Sequence, residues 1–168
     1  MIEMNAKMKE RLAGIVWHEK KIPEKLLDML YPGFSIENGC VFLTSLAAKR
    51  RNVDGSNFPD KTGWECFVNS IHIDDYCSSA YILNSLIFLD DLFKKWRERK
   101  EGVLQAIVSS DEYGVNVKFH LLRDGESWVD QNLEKYEDPI LILDSTLEDV
   151  GRIPGLPPFS GDKDSRKM

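Results

Sequence analysis

The segment VLQAIVSSDEYGVNVKFHLL, residues 103–122, decides the fold. Two apolar-rich stretches, Val103–Ser109 and Val115–Leu122, flank the polar sequence Ser110–Gly114, which is typical of a hairpin loop. In the second stretch apolar and polar residues alternate one by one from residue 115 to residue 121. Because this period of two is typical of a half-exposed antiparallel strand, the segment predicts a β-hairpin.

Three helices are predicted before this hairpin. The clearest, Ser79–Arg99, carries an apolar stripe at steps of three and four residues, with charged residues on its other side. The same spacing predicts a helix within Met4–Ile15. A third helix is predicted at Pro23–Leu30, where the proline suits the first turn and a following Tyr-Pro-Gly sequence ends it. We expect the long helix to be the main one packed on a sheet.

Further strands, a loop and a short helix are predicted in the remaining segments. Cys40–Leu46 and Ile140–Leu143 are short apolar stretches that favour strands. Trp64–Ile73 carries apolar residues on both alternating faces, which predicts a strand buried on both sides. Lys49–Gly63 is polar and contains Gly and Pro, which indicates a surface loop. Ser127–Tyr136 begins with a capping residue and predicts a short helix.

The predicted order α-α-β-β-α-β-β-α-β indicates an α+β fold, a mostly antiparallel sheet with helices packed on it. A chain of 168 residues with 42% apolar residues can bury a core without disulfides or metals. We expect one domain at residues 1–150. Residues 151–168 are rich in Pro and Gly and are predicted to form a C-terminal tail.

Charge and cysteine content limit the function and the compartment. The chain has 22 Lys and Arg residues against 28 Asp and Glu residues, a net charge of −6, which argues against direct nucleic-acid binding. This charge fits ordinary solubility and a basic protein partner equally well. Its cysteines, Cys40, Cys66 and Cys77, lie in or beside apolar runs, as reduced core cysteines do. No signal-peptide pattern and no apolar stretch long enough for a bilayer occur, so we expect a cytoplasmic protein without membrane contact.

Motifs for catalysis and cofactor binding are missing from the sequence. It contains neither glycine-rich phosphate motif nor a Gly-x-Ser-x-Gly elbow. Cys66, His72, Asp74 and Cys77 come nearest to a metal site, but core cysteines beside a strand-end histidine explain them better. We therefore expect no metal, no cofactor and no enzymatic activity. The alternatives are a small hydrolase that uses His72 or His120 with a carboxylate or Cys66, and an adaptor with a groove beside the long helix.

The sequence GWECFVNSIHIDDY, residues 63–76, leads directly into the long predicted helix. Together with the short acidic α+β character of residues 1–150, this segment resembles immunity proteins of bacterial contact-dependent growth inhibition systems. The resemblance implies a protein that binds and neutralises a cognate toxin domain, in many such systems a nuclease (DNase or RNase), by blocking its active site or substrate groove. Binding could use an acidic surface, or strand addition at the 103–122 hairpin.

Acidic residues near turns and element ends, with aromatic anchors among them, are the candidate contacts with the toxin. They are Glu65, Asp74, Asp75, Asp111, Glu112, Tyr113, Asp124, Glu126 and Trp128.

Overall fold

A computed structural model describes residues 1–17, 19–50 and 52–159. The α-helices in these ranges are α1 (Ala6–Ala13), α2 (Glu24–Leu30), α3 (Thr44–Ala47), α4 (Lys61–Val68) and α5 (Tyr81–Arg97). The strands are β1 (Ile2–Met4), β2 (Phe34–Glu37), β3 (Cys40–Leu43), β4 (Ser70–His72), β5 (Leu104–Ser110), β6 (Val115–Leu121) and β7 (Ile140–Asp144). An antiparallel five-stranded sheet has the order β1-β7-β5-β6-β4, and β2 pairs with β3 separately. The prediction of a mixed α+β, single-domain fold is confirmed.

The predicted hairpin is confirmed and forms the middle of the sheet. β5 and β6 pair along their whole length, from Leu104 opposite Leu121 to Ser110 opposite Val115. β7 pairs with the other edge of β5, and β4 pairs with the other edge of β6. Because β7 pairs with residues 105–109 of β5 and β4 with residues 116–118 of β6, these parts of the hairpin have no free edge for an added strand. The edges of the sheet are β1 and β4.

One face of the sheet packs against α5, as the apolar stripe predicted. Leu86, Leu89 and Phe93 are fully buried beneath it, together with the alternating apolar residues of β5, β6 and β7. Burying a side chain of this size contributes about 2 kcal/mol, so this layer is the main source of stability. Trp96 at the end of the helix donates a hydrogen bond from Nε1 to the Gly102 carbonyl at 2.9 Å, which fixes the turn into β5.

The opposite face of the sheet, called the second face here, is covered by residues 122–139. Ile107, Ile140 and Ile142 of this face pack with Cys66 and Leu133 in a smaller apolar cluster. The predicted helix Ser127–Tyr136 is wrong: the segment is irregular except for a 3₁₀ turn at Leu133–Lys135. Packing and local hydrogen bonds, such as Asp130 N–H to the Tyr136 hydroxyl at 2.9 Å, fix it without a helix.

The predicted strand Trp64–Ile73 is also wrong. Its first half, residues 64–68, lies in α4, which begins after Asp60, whose carboxylate caps the helix by accepting the Gly63 N–H at 2.7 Å. Six of the eight residues of α4 are buried, so a reading with a period of two also finds apolar residues on both faces. Only β4, which follows the helix, is extended.

Smaller differences concern element ends. In the N-terminal segment the helix begins after Asn5, whose side chain accepts the Met8 N–H at 3.0 Å, and the residues before it form β1. The strand predicted at Cys40–Leu46 ends at Leu43, where α3 begins, and the sequence did not indicate β2. The helix at Pro23–Leu30 is confirmed as α2.

Residues 151–159 lie against the domain. Ile153 is buried in the main core, and Asp90 of α5 accepts the Val150 N–H at 3.0 Å. Lys20 Nζ lies 2.9 Å from carboxylate oxygens of both Asp90 and Asp149 and ties the start of this segment to α5. Residues 160–168 of the predicted tail lie outside the described residues. Within the described ranges, no helix combines the length and the apolar character needed to span a bilayer.

Candidate partner-binding site

The end of the β5–β6 hairpin presents carboxylates around an exposed tyrosine. We define the tip surface as Asp74, Asp75, Asp111, Glu112 and Tyr113, all of which are exposed. Asp111 Oδ1 accepts the backbone N–H groups of Tyr113 at 2.8 Å and Gly114 at 2.9 Å. Because these bonds and the Asp111 N–H to Gly114 carbonyl bond at 3.0 Å close the turn, the acidic loop is held in one conformation.

Asp74 and Asp75 reach the same place from another part of the chain. They lie in a 3₁₀ turn that follows β4, and β4 is paired with β6 so that His72 stands opposite Asn116. Asp74 packs directly on Gly114: a Cβ at that glycine would lie 2.3 Å from Asp74 Oδ1. Only a residue without a side chain allows this approach, which brings the two predicted acidic segments together.

A groove lies beside the tip surface. Its volume is about 480 Å³, and it is lined by Arg11, Val16, Tyr81 and the hairpin loop. Tyr113 is 80% exposed and Val16 is 76% exposed, so two apolar side chains stand open to solvent at a rim that also carries carboxylates. Such a combination can take a side chain that is long, apolar along its stem and basic at its end.

Arg11, Val16 and Tyr81 are residues that the sequence reasoning missed. They come from the end of α1 and the start of α5, and only the tertiary fold places them near residue 113. The sequence contains a weak indication for Val16 alone. It is an apolar residue just after the first predicted helix and outside the stripe predicted to be buried.

Three of the predicted contact residues lie away from the tip. Asp124 and Glu126 follow the opposite end of β6, about 20 Å along the strand direction from the hairpin loop. Glu126 Oε1 accepts the N–H groups of Lys61 at 3.1 Å and Thr62 at 3.3 Å, so it caps α4. Trp128 is 43% exposed and lies over Lys118 of the second face, with 5.8 Å between the ring centroid and Nζ.

Glu65 does not reach the surface at all. Its side chain is 0% exposed, and its carboxylate accepts the Val41 N–H at 2.7 Å, the Leu121 N–H at 3.3 Å and a hydrogen bond from Arg123 Nη1. This arrangement joins α4, β3 and β6. Glu65 therefore holds the fold together and cannot contact a partner in this conformation.

The two histidines named for a hydrolase lie in different surroundings. His72 is exposed at the end of β4, whereas His120 is 1% exposed on β6. Burial lowers the pKa of His120, whose Nδ1 lies 2.9 Å from the Leu121 carbonyl and whose Nε2 has no hydrogen-bond partner. Burial also raises the pKa of the Cys66 thiol to about 12, so this group stays protonated. Among the described residues, no three or more His, Cys, Asp or Glu side chains are placed to hold a metal ion.

Comparisons with known proteins point to one family. The model of the "Uncharacterized protein PM0498 family" matches residues 3–153. A relative in Pasteurella multocida (strain Pm70), described as "Uncharacterized protein PM0498", is 30% identical over 117 residues, covering 63% of this chain and 73% of the relative. No solved structure matches the chain.

Proposed function

The chain belongs to the Uncharacterized protein PM0498 family, and we propose that it is an immunity protein that binds and neutralises a cognate toxin domain. It acts by stoichiometric binding in the cytoplasm of the cell that makes the toxin. The toxin is a nuclease, and the bound immunity protein covers its active site or its substrate groove.

The observation that carries this proposal is the tip surface. Asp111, Glu112 and the 80% exposed Tyr113 lie on a turn fixed by hydrogen bonds at the end of the β5–β6 hairpin. Asp74 packs on Gly114 of the same turn and brings Asp75 with it. Aromatic side chains at the centre of an acidic rim are the usual anchors of a protein interface. A rigid presentation of these groups lowers the entropy lost on binding.

Charge complementarity supports a nuclease as the partner. A nuclease holds a polyanion with basic residues, and the carboxylates of the tip surface take the positions that phosphates would occupy. The net charge of the whole chain, −6, has the same sign as the tip surface and is opposite to that of a basic substrate groove. Long-range attraction would therefore steer the two proteins together. Tyr113 would then insert into the substrate groove of the toxin.

The test is a calorimetric titration of the full chain into the toxin domain encoded directly upstream of its gene, with a nuclease assay on the same mixtures. We expect one-to-one binding with a Kd near 1 nM, which is about −12 kcal/mol, and loss of nuclease activity at equimolar ratio. Absence of binding would overturn the proposal.

Charge reversal identifies the surface. The variant Glu112→Lys should lower the association rate several-fold and reduce its salt dependence, without touching the Asp111 bonds that close the turn. Asp124→Lys is the matched control, because it changes an exposed carboxylate far from the tip. If the control variant weakens binding as much as Glu112→Lys, the tip surface is not the binding site.

A further inference from the structure

A lysine, an asparagine and a serine meet on the second face of the sheet. Lys118 and Ser70 stand opposite each other on β6 and β4, and Lys118 Nζ donates to Ser70 Oγ at 2.8 Å. Asn116 Nδ2 donates to the same oxygen at 3.1 Å. Because one hydroxyl oxygen accepts both bonds, Ser70 holds the ammonium and the amide side by side.

The donors of this cluster exceed its acceptors. Lys118 has no carboxylate within 4.0 Å in the described part of the chain, and only one of its three N–H groups is used. Burial, reinforced by the charge of Arg50, lowers the pKa of Lys118. A partly desolvated cation with free N–H groups is stabilised when an anion takes the place of its lost water.

Lys118 and Asn116 of this cluster line a groove whose walls are partly apolar and aromatic and partly polar. The groove has a volume of about 340 Å³, at the lower end of the range for small-molecule sites, and Asn116 and Lys118 form its polar end. Its walls include Ile107, Val129, Ile140, Trp128 and Tyr136. Glu137 and Asp138 also border the groove, but both are exposed and neither forms an ion pair with Lys118.

We propose that this groove binds a small carboxylate with an aromatic body. The carboxylate accepts hydrogen bonds from Lys118 and Asn116, and the ring lies between Trp128 and Tyr136. Ser70 is a positioning residue, since it does not line the groove and acts by holding the two donors. The proposal is independent of toxin binding, because no residue of the tip surface borders this groove.

The experiment is a two-dimensional ¹⁵N NMR titration of the full chain with phenylacetate and, in parallel, with phenylacetamide. The two probes have the same shape, but only phenylacetate is charged. We expect phenylacetate to shift the amides around residues 116–118 and the indole N–H of Trp128, with a Kd of about 1 mM. Phenylacetamide should bind at least tenfold more weakly.

Variants locate the charge that is recognised. Lys118→Met keeps the length of the side chain and should weaken phenylacetate binding at least tenfold, whereas Lys25→Met, on exposed α2, should leave it unchanged. Ser70→Ala should weaken it about threefold. Equal binding of the two probes, or no shift with either, overturns the proposal. This probe comparison uses the unmodified chain, so it decides the matter even if Lys118→Met fails to fold.

Discussion

Replacing Glu65 by glutamine changes one atom inside the domain and should be costly. In the native protein both carboxylate oxygens accept hydrogen bonds: Oε2 from the Val41 N–H at 2.7 Å, and Oε1 from the Leu121 N–H at 3.3 Å and from Arg123. A glutamine has a single acceptor oxygen. Whichever way its amide turns, an NH₂ group faces at least one of these donors.

The size of the effect follows from the burial of the site. A buried donor left without an acceptor costs about 1–3 kcal/mol, and replacing the ion pair with Arg123 by a hydrogen bond to a neutral amide costs about 1 kcal/mol more. Glu65 is 0% exposed and the Arg123 side chain 16% exposed, so water cannot replace the lost partner. We expect Glu65→Gln to lower the free energy of unfolding by about 3 kcal/mol, equivalent to about 6–12 °C in Tm.

The assay is urea unfolding followed by tryptophan fluorescence and circular dichroism. The matched control is Glu101→Gln, which alters another Glu–Arg pair, with Arg99 at 3.1 Å, whose side chains are 50% and 34% exposed. The control should cost less than about 1 kcal/mol, because surface ion pairs contribute little. If Glu65→Gln costs no more than the control, the reasoning about this buried carboxylate is refuted.

Three further predictions concern pH, packing and the C-terminal segment. Burial lowers the pKa of His120, so the unfolded chain takes up a proton near pH 6.5 that the folded chain does not. The free energy of unfolding should therefore fall between pH 7.5 and 5.5, and His120→Gln should flatten that slope in urea titrations. Gly114→Ala should cost about 1–2 kcal/mol in thermal unfolding, because the new Cβ collides with Asp74, and the added change Asp74→Ala should recover most of it. The hydrogen bond from Lys20 lowers the pKa of Asp149 in the folded chain. Ionised Asp149 therefore stabilises the fold above about pH 4, and this stabilisation is lost as the pH falls through the lowered pKa of the folded state. Lys20→Met should remove the contribution of this contact, so the backbone amides that follow Asp149 should exchange their hydrogens faster. Unchanged exchange rates would contradict the prediction.

The parts of the fold that could be predicted are those with one buried face. α5 and β6 each have a polar and an apolar side, so the periods of 3.6 and 2 are visible in the sequence. Both elements lie where they were expected. The hairpin loop between β5 and β6 was equally clear, because its polar residues separate two apolar strands.

The failures come from segments whose structure depends on distant residues. α4 is buried on most sides and is capped in part by Glu126, 65 positions after Lys61, so its apolar residues fit a buried strand as well as a helix. The cap at Asp60 was the local signal for a helix. The segment 127–136 shows the converse, since it has a local capping signal but covers the second face without forming a helix.

The candidate site was partly accessible from the sequence for the same reason. Tyr113 and its acidic neighbours lie in a turn, and turn residues are exposed in almost any fold. That Asp74 joins them depends on the pairing of β4 with β6, and that Glu65 is buried depends on α4 being a helix. Sequence alone supplies neither fact.

The two outermost strands of the sheet, β1 and β4, are three residues long, whereas β5 and β6 inside it are seven. An extended chain that paired with either edge strand could form only a few backbone hydrogen bonds, too few for stable edge-to-edge polymerisation. The long apolar strands, which favour fibril formation when exposed, are shielded on both sides by their neighbours. Association of two molecules through the edges of this sheet is therefore disfavoured.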